Sequence, residues 1–269
     1  MVVGILGCGW YGIALAKRLI DQGIVVKGST TSSGKLDILR AAGILPFLIR
    51  IDGTEADKTE PEFFNCDQLI VANNVKMDHL DNYLSKVRKT IRLIQNGSVD
   101  RVIFISSISV YGDHNQEVDE NTLPKPGKGS GISLLEGEKL LLAQENLNCT
   151  ILRFAGLVGP GRDPARFFAG KTGIPNGAAP VNLIHLEDCV GMTEKLLQNP
   201  QLKGIFNGVS PHHPSKMDFY THAAKRKSLA LPVFKAEKLE WKIVNSLYVK
   251  QQLDYDFKVQ NWFDDKIAY

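Results

Sequence analysis

The sequence predicts a doubly wound parallel α/β fold with a small C-terminal substrate lobe, and three observations carry that prediction. A short apolar run at residues 2–6 enters Gly7-Cys8-Gly9-Trp10-Tyr11-Gly12, a G-x-G-x-x-G loop. A helical pattern follows at once, with Ile13, Ala16, Leu19 and Ile20 on one stripe. The second observation is alternation: strand-like runs at 2–6, 24–26, 45–49, 69–72, 102–106 and 150–154 are separated by helical patterns near 10–22, 33–42, 77–95 and 132–147. The third is that these runs are continuously apolar, which is how strands buried on both faces of a parallel sheet read.

Each element follows in order. In the loop, Gly7 permits the tight turn, Gly9 lets a pyrophosphate reach the backbone, and Gly12 lets helix and strand pack closely. The unpaired N–H groups at the helix start then face the phosphates, with Cys8, Trp10 and Tyr11 as the residues between. This is the dinucleotide fingerprint of a Rossmann fold. The stretch 51–67 has little helical periodicity. Residues 156–180 are dense in glycine and proline and are expected to be mostly loop. A short strand at 181–186, a helix at 187–198, a short strand at 204–207 and a helix near 215–228 come next. A segment rich in Trp and Tyr finishes the chain. The expected division is a dinucleotide-binding domain from 1–155 plus 181–208 and a substrate-binding lobe from 156–180 plus 209–269.

Composition excludes several classes. The chain has 269 residues, 43% hydrophobic and 23% charged, an ordinary globular balance. A net charge of +3 makes no case for nucleic acid. No apolar run approaches the roughly 20 residues needed to cross a bilayer, and no basic leader precedes the first apolar run, so no membrane association is expected. The four cysteines, Cys8, Cys66, Cys149 and Cys189, have no metal-ligand spacing and read as free thiols of a cytoplasmic protein. Cys8 sits at a helix start, a setting that can lower a thiol pKa, although a small loop-filling residue is the simpler reading. His212-His213 suggests no metal site, because adjacent histidines diverge and no third ligand is evident.

The second strand bears on the choice of cofactor. NAD sites usually carry a carboxylate after that strand, to hold the ribose 2′-hydroxyl. Here no Asp or Glu occurs between Asp21 and Asp37. Thr30, Thr31, Ser32 and Lys35 instead suit a 2′-phosphate, so NADP is the preferred cofactor and NAD the alternative. The hydroxyls would otherwise cap the next helix.

Further motifs carry a resemblance. Ser106-Ser107-Ile108-Ser109-Val110-Tyr111-Gly112 is similar to the fifth-strand signature of extended short-chain dehydrogenases/reductases of the NAD-dependent epimerase/dehydratase family. Arg153-Phe154-Ala155-Gly156-Leu157-Val158-Gly159-Pro160-Gly161 and Asn182-Leu183-Ile184-His185-Leu186-Glu187-Asp188 resemble two later motifs of that family. The stretch from Gly161 to Lys171 resembles the hallmark of its atypical YeeZ-like subgroup. By position, the resemblance implies Ser107 as the substrate-orienting hydroxyl, Asp52 at the adenine amino group, and Ala72 and Asn73 along the adenosine.

The family's Tyr-x-x-x-Lys pair places two groups on one helical face, where the ammonium lowers the phenol pKa. Anchored on Glu138, this chain puts Ser130 and Leu134 at those positions, and no tyrosine occurs between Tyr111 and Tyr220. Tyr111 is the first substitute expected for acid–base work; His114, Lys128 and Glu138 are others. Arg162, Arg166 and Lys171 form a cationic loop suited to a small anionic substrate, such as a nucleotide-sugar diphosphate by family analogy. A solvated loop with local ion pairs is the competing account. The functions that follow are an oxidoreductase or epimerase, or a non-catalytic NADP-binding sensor or scaffold. The sequence leaves room for an oligomer.

Overall fold

The computed structural model describes residues 1–52, 59–72, 79–127 and 129–269. Along the chain run β1 (Val2–Leu6), α1 (Trp10–Ile20), β2 (Val25–Thr30), α2 (Leu36–Ala41), β3 (Leu45–Leu48), β4 (Gln68–Val71), α3 (Leu80–Gln95) and β5 (Arg101–Ser107). They are followed by β6 (Gln116–Val118), α4 (Ser130–Leu142), β7 (Asn148–Phe154), β8 (Gly156–Val158), α5 (Ala165–Phe168), β9 (Leu183–His185) and α6 (Leu186–Gln198). The last elements are β10 (Gly204–Gly208), α7 (Lys216–Arg226), β11 (Lys242–Val244) and α8 (Leu247–Gln251).

Seven strands form one sheet in the order β10-β7-β5-β4-β1-β2-β3. Every pairing in it is parallel. Val3, Ile5, Leu69, Ile70, Val102, Ile103, Ile151 and Leu152 are buried without exception, as continuous apolar strands in a two-sided sheet require. Helix α1 packs with α6, and α3 packs with α4. The strand order reverses between β1 and β4, which opens a crevice beyond their C-terminal ends, the usual ligand position in such sheets.

Several details differ from the sequence expectation. β2 runs four residues past the expected end, because it is paired with β1 on one side and β3 on the other, as far as Thr30 opposite Leu48. Ser29 and Thr30 are therefore buried strand residues rather than loop hydroxyls. Two further parallel pairs, β8–β9 and β6–β11, lie outside the main sheet. The expected 181–186 strand is β9, and it joins β8 rather than the main sheet.

A second small core holds Val158, Leu183, Phe219, Val259 and Trp262. Val244, Val249, Leu253 and Tyr255 pack instead into the main core. Asp188 anchors the segment that follows: its carboxylate accepts the Tyr255 hydroxyl (2.9 Å) and the Lys258 (2.6 Å) and Val259 (3.2 Å) N–H groups. Among the described residues, no helix is long and apolar enough to cross a membrane.

Candidate functional site

The glycine loop is held from below by β2. The Gly7 N–H donates to the Ser29 hydroxyl (2.9 Å), and the Cys8 N–H donates to the Ser29 carbonyl (2.8 Å). Gly7 has φ 100°, in the left-handed region that favours glycine. A Cβ on Gly12 would lie 3.0 Å from the Gly7 carbonyl oxygen and 3.1 Å from Ile5, so helix and strand pack as closely as the motif implies. A Cβ on Gly9 would meet nothing within 4 Å. The backbone there is open to a ligand, beside the first-turn N–H groups of α1, which have no intrahelical acceptor. The loop thus fits a dinucleotide diphosphate. Burial pushes the Cys8 thiol up to about 12, so the helix start does not activate it.

A cavity of about 750 Å³ opens on this loop, within the usual range for a cofactor site. Gly7, Cys8, Gly9, Trp10, Tyr11, Gly12, Thr30, Thr31, Asp52 and Ala72 line it. Ser32 does not; it is exposed, and its N–H donates to the Thr30 hydroxyl (3.2 Å). Asn73 and Lys128 lie outside the described residues. Phe104, Ile105, Phe154 and Leu157 supply an apolar wall. Lys35, Arg50 and Arg162 also line the cavity, and none of the three forms an ion pair with a described residue. Arg50 donates from Nε to the Thr31 carbonyl (2.9 Å), which places its guanidinium beside the end of β2. Sequence reasoning missed Arg50. The register of β2 against β3, Thr30 opposite Leu48, is the signal that would have found it.

The region around β5 and α4 is organised differently. Ser107 ends β5, two residues past the cavity residue Ile105 but not itself in the cavity lining, and its oxygen accepts the Ser109 N–H (3.2 Å) at the start of a 3-10 turn over Ile108–Tyr111. That turn carries Tyr111 inward. The phenol, expected to serve acid–base chemistry, is 1% exposed and does not line the cavity. It donates to Asn207 (3.0 Å) and accepts from Arg153 Nη1 (2.9 Å). Burial raises its pKa, against the pull of Arg153.

Glu138 and Arg153 are equally enclosed, each 1% exposed, with Arg153 Nη2 2.5 Å from Glu138 Oε2. The Ser106 hydroxyl donates to the same carboxylate (2.5 Å). Burial works against the Arg153 charge, but the hydrogen bonds and charge of Glu138 overcome it and hold the pKa above the ordinary value. His114 is engaged with the Lys125 carbonyl (2.8 Å), and Leu134, at the family's lysine position, is buried. The expected substitutes Tyr111 and Glu138 are thus structural partners of one another through Arg153.

The three loop cations do not converge on one point. Arg162 lies over the Trp10 ring, 4.6 Å from guanidinium carbon to centroid. The Lys171 ammonium lies over Phe167 and Phe168, at 5.7 and 5.5 Å. Arg166 is exposed on α5. His185 is buried; its Nδ1 accepts the Glu187 N–H (3.2 Å) and its Nε2 donates to the Ala268 carbonyl (2.8 Å).

Sheet order, glycine loop and cavity together define an α/β protein with a Rossmann-type dinucleotide-binding loop. Residues 2–207 match the NAD dependent epimerase/dehydratase family, and the chain belongs to that family. It is similar to protein YeeZ of Escherichia coli (strain K12), with 35% identity over 263 residues that cover 95% of each chain. A solved structure of a functionally unknown conserved protein from Silicibacter pomeroyi DSS has a TM-score of 0.81 and 23% identity, covering 97% of this chain and 95% of that one. UDP-glucuronic acid 4-epimerase from Bacillus cereus, solved in complex with NAD, has a TM-score of 0.80 and 18% identity, covering 98% and 94%. At these identities the two solved structures attest the shared fold.

Proposed function

We propose that the chain binds a nicotinamide dinucleotide, NADP in preference to NAD, and uses it in oxidoreductase or epimerase chemistry on a small anionic substrate. The observation that carries the cofactor preference is the end of β2. Thr31, Lys35 and Arg50 line the cavity there, and no carboxylate occurs between Asp21 and Asp37. A 2′-phosphate would meet two cations rather than a repelling acid. Asp52 remains the candidate for the adenine amino group, and Ala72 for the adenosine wall.

When bound, the nicotinamide ring supplies hydride removal or delivery. The chain's own contribution begins at Ser107. Its oxygen already accepts one N–H, and its hydroxyl proton remains to donate to a substrate oxygen. The exposed Arg166 and Lys171 are the candidates to attract an anionic substrate. A nucleotide-linked sugar is the class suggested by the B. cereus epimerase, which has been solved with UDP-glucuronic acid and NAD.

The testing experiment is parallel calorimetric titration with NADPH and NADH. Micromolar NADPH binding, with NADH at least about tenfold weaker, is the expected result. Binding of neither overturns the assignment. In a substrate screen, Ser107→Ala is expected to lower turnover about a hundredfold with cofactor affinity unchanged.

One observation favours a second reading, a dinucleotide-responsive protein without turnover. Ser130 and Leu134 stand at the Tyr and Lys positions, while Tyr111 and Glu138 are locked in the interior. Tight NADPH binding with no hydride exchange across a broad substrate panel would select it.

A further inference from the structure

We propose that Arg162, held over the Trp10 indole, closes over the diphosphate of the bound dinucleotide and so serves the cofactor rather than the substrate. The inference rests on the dinucleotide assignment above. Trp10 is the first residue of α1, directly behind Gly9, and both it and Arg162 line the cavity. The contact is built by the loop that carries Arg162. The Trp10 indole N–H donates to the Pro160 carbonyl (2.6 Å), and the Arg162 N–H closes a turn onto the Gly159 carbonyl (2.7 Å). Gly161, at φ 83°, makes that turn possible, and a Cβ there would sit 3.5 Å from the indole nitrogen.

The guanidinium carbon is 4.6 Å from the ring centroid. The contact with the ring is a cation–π one, and it leaves the N–H donors of the guanidinium to a bidentate acceptor such as two oxygens of a phosphate. Those donors make no hydrogen bond or ion pair with a described residue. The N-terminus of α1 carries the partial positive charge of the helix dipole, so a bare guanidinium beside it is unfavourable until an anion lies between them. The hydrogen bond from Trp10 to Pro160 holds the two positive features together. The diphosphate that the glycine loop is shaped to receive is the anion that resolves the conflict.

The test uses two fragments as probes. ADP-ribose carries the diphosphate without the nicotinamide, and adenosine 2′-monophosphate carries the 2′-phosphate without a diphosphate. Calorimetry and tryptophan fluorescence follow their binding to the wild-type chain, Arg162→Ala and Arg162→Lys. Arg162→Ala is expected to weaken NADPH and ADP-ribose alike by tenfold or more, and to leave adenosine 2′-monophosphate within twofold. Because Arg162 is exposed, the melting temperature of the ligand-free protein should not change. Arg162→Lys should recover only part of the loss, since it restores charge but not the fork.

Unchanged ADP-ribose affinity in Arg162→Ala, with the wild type binding normally, overturns the proposal and returns Arg162 to the substrate. Equal weakening of both fragments also overturns it, because the effect would then be general charge. Failure of the wild-type chain to bind NADPH, NADH and ADP-ribose would instead remove the dinucleotide assignment itself.

Discussion

The cavity rim and the α4–β7 interior use charge in opposite ways. At the rim, Lys35, Arg50 and Arg162 stand without an ion-pair partner among the described residues. In the interior, Glu138 and Arg153 are almost wholly buried, and each is satisfied by the other together with Ser106 and Tyr111. Ser130 and Leu134, at the positions that correspond to the family's acid–base pair, lie on α4 together with Glu138, which is committed to a structural ion pair. Cations left unpaired beside an open glycine loop are available to a ligand. Charges paired inside the sheet are committed to the fold. Exposure and pairing, rather than residue type, therefore separate binding groups from structural ones here.

The largest expected effect comes from breaking the interior pair. Glu138→Leu leaves Arg153 buried beside Tyr111 with no counter-charge, and removing one partner of a buried ion pair costs about 3–5 kcal/mol. Denaturant unfolding measures it. The double variant Glu138→Leu, Arg153→Met should recover much of that loss, because a buried pair is often replaceable by apolar residues of similar volume. A single variant as stable as the wild type would show that the pair is not what holds α4 to β7.

At the rim the same kind of change should spare the fold and remove binding. Gly9 has an extended backbone, φ −91°, and a Cβ there meets nothing within 4 Å. Gly9→Asp should therefore melt like the wild type without ligand. It should lose the ligand-linked stabilisation, about 2.7 kcal/mol at a hundredfold excess over Kd. Thermal melts with and without NADPH read both. The next smaller effect is on cofactor choice. Replacing Lys35 and Arg50 with Ala should lower the NADPH preference about tenfold, roughly 1.4 kcal/mol, with NADH binding unchanged. Equal losses for both cofactors would mean that these cations do not face the 2′ position.

The two regions were also unequally legible in the sequence. The glycine loop, its flanking strand and helix, and the alternation of the main sheet are local patterns, and the chain declares them over windows of ten to twenty residues. The cation cluster of the rim depends on register: Arg50 reaches Thr31 only because β2 and β3 pair in parallel with Thr30 opposite Leu48. Trp10 and Pro160 meet across 150 residues, which no local period encodes. Tyr111 illustrates the opposite error. Its place after the fifth strand suggests an active-site phenol, but the 3-10 turn at Ile108–Tyr111 rotates it into the core, where Arg153 and Asn207 use both of its hydrogen-bonding capacities. Neither partner is near it in sequence.

The smallest expected effect tests whether unpaired charge alone is enough to mark a binding group. Arg166 and Lys171 belong to the same run of sequence as Arg162 and are exposed, yet neither lines the cavity. Lys171 is drawn over Phe167 and Phe168 instead. If location decides, Arg166→Ala and Lys171→Ala should each leave NADPH affinity within about 0.5 kcal/mol, the usual range for surface substitutions. If the loop acts as a diffuse positive field, both would weaken NADPH, with losses that shrink as salt screens them. Titration at low and high ionic strength separates the two cases. A salt-independent loss confined to Arg162 would show that geometry, not net charge, selects the ligand at this rim.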